Sequence, residues 1–306
     1  MERIKRVVVL GAGAMGGFFL SRFLDAPGFF TAAAARGQRK KRLETEGLVV
    51  NGKQYTVPVV DPAETDSPVD LIIVAVKNHH LTEAASNLTR LVGDDTVFLS
   101  VMNGLDSEEY IGSLYGKKKV LYGVSVGIDS IREGNSITFT HAGVHYFGEK
   151  KNTALSPKVR LVQDAFFRAG ISHETPKDMI RMLWWKFMIN VGINQASAVM
   201  RAPYGVFQSL PEARSLMVAL MREVTALAKV VGVDLGERDI TDWYNVLDKL
   251  APHGKTSMLQ DIEAGRKTEV EVFGGKVTSL GKKHGVPTPV SQAVSNIIHV
   301  LERDTG

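Results

Sequence analysis

Short apolar runs alternate with helical stretches along the first half of the chain. Residues 7–10, 29–35, 71–76, 97–101 and 120–126 are apolar almost throughout. Such runs, continuous rather than alternating, predict strands covered on both faces. Residues 14–24, 38–46 and 81–91 carry helical patterns between them. Strand and helix in alternation predict a parallel, doubly wound sheet. Residues 136–139 and 144–147 flank His141-Ala142-Gly143 and predict an antiparallel hairpin closing the first domain. A helix over 157–168 and a short strand over 171–174 follow.

Past Thr175-Pro176 the pattern becomes helical throughout. Residues 177–198 form one long, mostly apolar stretch, and 212–231, 237–250, 257–265, 276–284 and 291–302 also read as helices. Gly and Pro punctuate them at Gly232, Pro252, Gly254, Gly274, Gly275, Gly285 and Pro287. The expected fold is α/β: an N-terminal Rossmann-type doubly wound parallel sheet over 1–175, then an all-helical domain over 176–306.

The 306 residues suit two domains, each able to bury a core. No cysteine is present, which excludes disulfides, a thiolate nucleophile and cysteine-bound metal. The formal charge of +4 suits small anionic ligands and is too dispersed for nucleic acid. No apolar run approaches the roughly 20 residues that span a bilayer, and no secretory signal precedes the first strand. A cytoplasmic protein is expected.

Gly11-Ala12-Gly13-Ala14-Met15-Gly16 follows one predicted strand and opens a predicted helix. Gly11 permits the tight turn, Gly13 admits a pyrophosphate close to the backbone, and Gly16 lets helix and strand pack. The helix N-terminus offers free N–H groups to phosphates. Twenty residues on from Gly16, where NAD-binding folds place an acid, stands Arg36. A guanidinium there suits a 2′-phosphate, so NADP(H) is the expected cofactor. Lys40, Lys41 and Arg42, which follow, read as a solvated helix face.

Ligands of such sheets sit beyond the strands' carboxyl ends. Lys77 and Asn103 stand there, although an exposed loop lysine and an Asn-Gly turn would look the same. In the long helix, Lys186, Asn190 and Asn194 recur every four residues and share one stripe of an otherwise apolar segment. Burying an ammonium and two amides without partners is costly. They line a cavity, bond one another, let the lysine snorkel outward, or bind a substrate beside a general acid. Ser257 at a helix start reads as a cap and Glu269 in a charged stretch as solvated, when taken alone. His79 with His80, and His141 with His145, lack a third ligand, so no metal is expected. Leu216, Ala219, Leu220, Glu223 and Leu227 form a packing stripe, with a homodimer interface as the alternative.

Taken together and in order, the glycine loop, Arg36, Lys77, Asn103-Gly104, Trp185-Lys186 with Asn190 and Asn194, Ser257-Met258-Leu259-Gln260-Asp261 and Thr268-Glu269 resemble the ketopantoate (2-dehydropantoate 2-) reductase family over nearly the whole chain. The resemblance implies NADPH-dependent reduction of 2-dehydropantoate to pantoate, for pantothenate and coenzyme A synthesis. It gives Lys186 the general acid's place, Asn190, Asn194 and Ser257 substrate contacts, Asn103 a place near cofactor and substrate, and Glu269 contacts with the bound ligands. Three positions depart from the pattern. Tyr204 replaces an asparagine of some members, Gly274-Gly275 replaces Asn-Gly, and Asp106 stands where glycine is frequent. A related 2-oxo acid as substrate, a 3-hydroxy acid dehydrogenase and a non-catalytic NADP-binding sensor are the rival readings.

Overall fold

The structure is a computed structural model and describes residues 2–303. The chain divides into two compact units, Met1–Ile180 and Arg181–Gly306.

The first unit runs β1 (Arg6–Leu10), α1 (Ala14–Asp25), β2 (Phe30–Ala34), α2 (Gly37–Glu46), β3 (Leu48–Val50), β4 (Lys53–Tyr55), β5 (Val59–Val60), β6 (Val69–Val74), α3 (Leu81–Ala85), β7 (Val92–Ser100), α4 (Ser107–Tyr115), β8 (Val120–Glu133), β9 (Ser136–Gly148), α5 (Pro157–Arg168) and β10 (His173–Glu174). The strands form one sheet in the order β4-β3-β9-β8-β7-β6-β1-β2-β5, with β10 on β9. From β5 to β8 every neighbour is parallel. The fold is therefore the Rossmann-like sheet expected, extended by an antiparallel β8–β9 pair.

Both faces are covered, which explains the unbroken apolar runs. Val7, Val9, Leu71, Ile73 and Leu99 face one core, and Val8, Leu10, Ile72, Val74 and Phe98 face the other. Each such fully buried side chain contributes roughly 1.5–3 kcal/mol.

The hairpin differs from expectation. Its turn lies between Glu133 and Ser136, and His141-Ala142-Gly143 lies inside β9. Gly143, at φ +66°, is needed there because a side chain would come 2.3 Å from the Val126 carbonyl oxygen. A glycine inside a strand marks such a close approach, and the register shifts nearby at Asp129/Ser130. The helix expected over 81–91 also stops early. The Ser86 hydroxyl and Asn87 amide both donate to the Glu83 carbonyl, competing with the backbone.

One core residue gives the unit a pH dependence. His145 is 2% exposed among Phe18, Phe19 and Phe166, with Nδ1 2.8 Å from Ser125 Oγ. Burial, with a smaller contribution from His173, pushes its pKa down from 6.5 to about 4. The unfolded chain thus binds this proton more readily. Stability is complete above pH 6.5 and falls as pH drops toward 4, by about 3 kcal/mol in all. Glu108 of α4, whose pKa burial pushes up to about 7, acts with the opposite sign, so the comparison must be between variants. Urea midpoints of wild type and His145→Gln, followed from pH 7 to 4.5, should converge as pH falls. Parallel curves would remove His145 as the cause.

In the second unit no strand occurs among the described residues. It comprises α6 (Met179–Ile189, spanning the division), a π-helical turn (Asn190–Asn194), α7 (Gln195–Met200), α8 (Tyr204–Ser209), α9 (Pro211–Val230), α10 (Glu237–Leu247), α11 (Ser257–Glu263), a second π-helical turn (Glu271–Gly275), α12 (Lys276–His284) and α13 (Pro289–Arg303). No described helix is long and apolar enough to cross a membrane. Buried Glu223 on α9 is more than a packing residue. Its carboxylate accepts from the N–H groups of Val290 and Ser291, capping α13.

Candidate active site

In the first unit the parallel order β2-β1-β6-β7 carries four expected residues or motifs to one edge. The glycine loop follows β1, Arg36 follows β2, Lys77 lies just past β6, and Asn103 lies just past β7.

Each glycine of the loop has a distinct cause. Gly11 has φ +101°, and a side chain there would lie 2.8 Å from the Ala75 carbonyl oxygen. A side chain on Gly16 would lie 1.6 Å from the Gly11 carbonyl oxygen. Gly13 is different: the nearest atom to a methyl there is Nη1 of Arg132, at 3.7 Å. The fold needs the first and third glycines for its own packing, and the second leaves room. Gly13 is the N-cap of α1 and no side chain caps that helix. Its N–H groups remain available to a phosphate-bearing ligand.

Arg36 is exposed at the start of α2, where its Nε meets Asp61 Oδ1 at 3.3 Å. That contact uses neither terminal amino group of the guanidinium. The sequence reading missed Asp61 because the strand before it, β5, is only two residues long. Arg39 Nη2 lies 3.3 Å from His80 Nε2, linking α2 to the turn after Lys77. Lys40 pairs with Glu64 at 3.6 Å, a surface contact as expected of a solvated face. Lys77 is half-buried.

Behind Asn103 lies a buried polar chain. The Ser100 and Ser107 hydroxyls are 2.7 Å apart, and Ser107 Oγ donates to Glu108 Oε2 at 2.8 Å. Glu108 is 3% exposed, and burial pushes its pKa up to about 7. The chain ties the end of β7 to α4 and so braces the Asn103-Gly104 turn, where Gly104 has φ +98°.

In the second unit, Lys186 lies on α6, and Asn190 and Asn194 bound the first π-helical turn. The expected uniform helix is therefore interrupted at its polar stripe. The extra residue per turn is tolerated because Gly192 lets the turn approach α9: a side chain there would lie 2.6 Å from Met221 Cγ. Asn190 and Asn194 are 4% and 6% exposed, and Lys186 is half-buried. Among the described residues none bonds or ion-pairs with the Lys186 ammonium, and burial pushes its pKa down to about 8.

Ser257 opens α11, but Thr256 is the cap, its Oγ1 accepting from Leu259 N at 3.2 Å. The Ser257 hydroxyl, exposed, is thus not committed to capping. Glu269 is half-buried just ahead of the second π-helical turn. The two π-helical turns touch each other, and α11 touches the first. Three of the five expected residues of this unit, Asn190, Asn194 and Ser257, thus lie on contacting elements, with Glu269 just ahead of one of them, a use for which π-bulges are common. Period analysis could not show them. Tyr204 is half-buried against Gly254, three residues before Ser257.

Comparison with known proteins identifies the family. The family model described as ketopantoate reductase PanE/ApbA matches residues 7–152, and the one for its C-terminal part matches 178–302. The 2-dehydropantoate 2-reductase of Archaeoglobus fulgidus is 25% identical over 300 residues, covering 98% of this chain and 99% of the relative. The crystal structure of 2-dehydropantoate 2-reductase from Methylococcus capsulatus superposes with a TM-score of 0.83 at 24% identity, covering 98% of each chain. That of D-mandelate dehydrogenase with NADH and anilino(oxo)acetate gives 0.89 at 21%, again over 98% of each.

Proposed function

The chain belongs to the ketopantoate reductase family of oxidoreductases, and from that premise we propose that it reduces 2-dehydropantoate to pantoate with NADPH. Residues 1–175 hold the cofactor, and 176–306 hold the substrate and the proton donor. The observation that carries this reading is the Lys186 ammonium, desolvated and without a bonding partner among the described residues.

The first unit fits a dinucleotide on its own geometry. The glycine loop leaves room at Gly13 and presents the uncapped start of α1 to a pyrophosphate. Arg36 receives the 2′-phosphate, and Lys77 and Asn103 border the nicotinamide end. When bound, NADPH supplies hydride to the keto carbon. Lys186 stabilises the negative charge growing on the substrate oxygen and transfers a proton to it. Asn190, Asn194 and Ser257 orient the substrate by hydrogen bonds, and Glu269 contacts the bound ligands.

Following NADPH absorbance against a panel of 2-oxo acids tests the reading. Turnover should be fastest with 2-dehydropantoate. Tyr204 favours a second reading, a related 2-oxo acid bearing a larger apolar group, so phenylglyoxylate belongs in the panel. No turnover with any member would leave a non-catalytic binder.

Asp61 partly neutralises Arg36, which makes cofactor choice worth measuring directly. Arg36→Asp should weaken NADPH binding roughly tenfold to a hundredfold and NADH far less, because only NADPH brings a phosphate to that position. Equal losses in a fluorescence titration would show that Arg36 does not read the 2′-phosphate.

A further inference from the structure

Arg132 stands near the end of β8, beside the turn of the β8–β9 hairpin. Its Nη1 is the atom closest to the missing side chain of Gly13, at 3.7 Å, and its Nε donates to the Gly134 carbonyl at 3.0 Å. The hairpin is not loosely placed there. Ile137 of β9 is fully buried and packs straight onto α1, so that a side chain on Gly17 would come 2.3 Å from its Cδ1. Parallel pairing of Val49 with Ser136 and Val50 with Ile137 holds the same end from the other side.

The N-terminus of α1 carries the positive end of the helix dipole, with no acidic residue in its first turn and no side-chain cap. A guanidinium is held against the same volume. Both the helix start and the guanidinium attract an anion, and both face the same space. The space is also the one that Gly13 keeps clear of side chain.

We propose that Arg132 binds the pyrophosphate of the dinucleotide, closing over it from the hairpin while the start of α1 holds it from below. The proposal rests on the cofactor reading above. It makes a distinction that reading does not: Arg36 recognises what only NADPH carries, and Arg132 recognises what NADPH and NADH share. A guanidinium is suited to the task because it can give two parallel hydrogen bonds to phosphate oxygens.

Fluorescence titrations with NADPH and with NADH, on wild type, Arg132→Gln and Arg132→Lys, provide the test. Arg132→Gln should weaken both dinucleotides by the same factor, roughly tenfold to a hundredfold. Arg132→Lys, which keeps the charge and loses the fork, should fall between it and wild type. The unliganded variants should melt with the wild type, since a purely structural clasp would lower the melting temperature and spare affinity. Affinities within about twofold of wild type would overturn the proposal. So would a loss confined to NADPH, which would move Arg132 to the 2′-phosphate. A wild-type protein that bound neither dinucleotide would overturn the cofactor reading itself, a result distinct from either.

Discussion

Replacing Lys186 by alanine should lower kcat with 2-dehydropantoate by about 10²–10⁴-fold, the range typical of a lost general acid. NADPH affinity should hold, because the residues proposed to grip the dinucleotide lie in the first unit. Melting temperature should also hold or rise, since the change removes a desolvated ammonium that bonds no described residue. The pH profile adds a second signature. A donor must carry its proton, so wild-type reduction should decline as pH rises through about 8, where burial places the Lys186 pKa. The alanine variant should lose that limb. Lys186→Arg should recover substrate binding and little of the rate, because a guanidinium holds its proton too tightly to give it up. More than about a tenth of the wild-type kcat in Lys186→Ala would remove Lys186 from the chemistry.

Legibility in the sequence followed the range of the forces involved. The central strands were readable because both sheet faces demand apolar residues, as Val7, Val8 and Val9 demonstrate within three consecutive positions. The glycine loop was readable because its constraints are local: Gly11 and Gly16 answer to backbone within a few residues or on the next strand. The hairpin was misplaced because Gly143 serves a cross-strand approach, and a glycine in a strand has the same letter as one in a turn. The Gly134-Asn135 dipeptide at the true turn was a usable signal that the sequence reading passed over. Lys186, Asn190 and Asn194 stood out by type and spacing, and Ser257 and Glu269 only through the family resemblance, while the π-helical turns among them left no trace in the pattern. The first of those turns depends on Gly192 meeting α9, a contact about 30 positions away that no local period records. Asp61, Glu108 and Arg132 were missed for a related reason. Each meets a group on another element, Asp61 with Arg36, Glu108 with the Gly123 N–H and Arg132 beside Gly13, and a single acidic or basic residue carries no pattern that records such a meeting.

The glycine loop itself yields the other large effect, a contrast between two substitutions of the same kind. Gly16→Ala should destabilise the protein by a few kcal/mol, since the new methyl would stand 1.6 Å from the Gly11 carbonyl oxygen and backbone must move. The loop and α1 would be displaced together, so NADPH binding should be lost along with the melting temperature. Gly13→Ala meets no such obstacle. Its φ of −72° is ordinary for alanine, and the nearest atom is 3.7 Å away. A glycine-to-alanine change in an allowed conformation tends to stabilise, by about 0.4–1 kcal/mol, through the unfolded chain. Gly13→Ala should therefore melt no lower than wild type while losing most of its NADPH affinity, because the methyl fills the space through which a pyrophosphate reaches the helix. Thermal melts paired with NADPH titrations of the two variants separate packing from binding. If Gly13→Ala bound NADPH as wild type does, the loop would be a structural turn and the nucleotide would have to sit elsewhere.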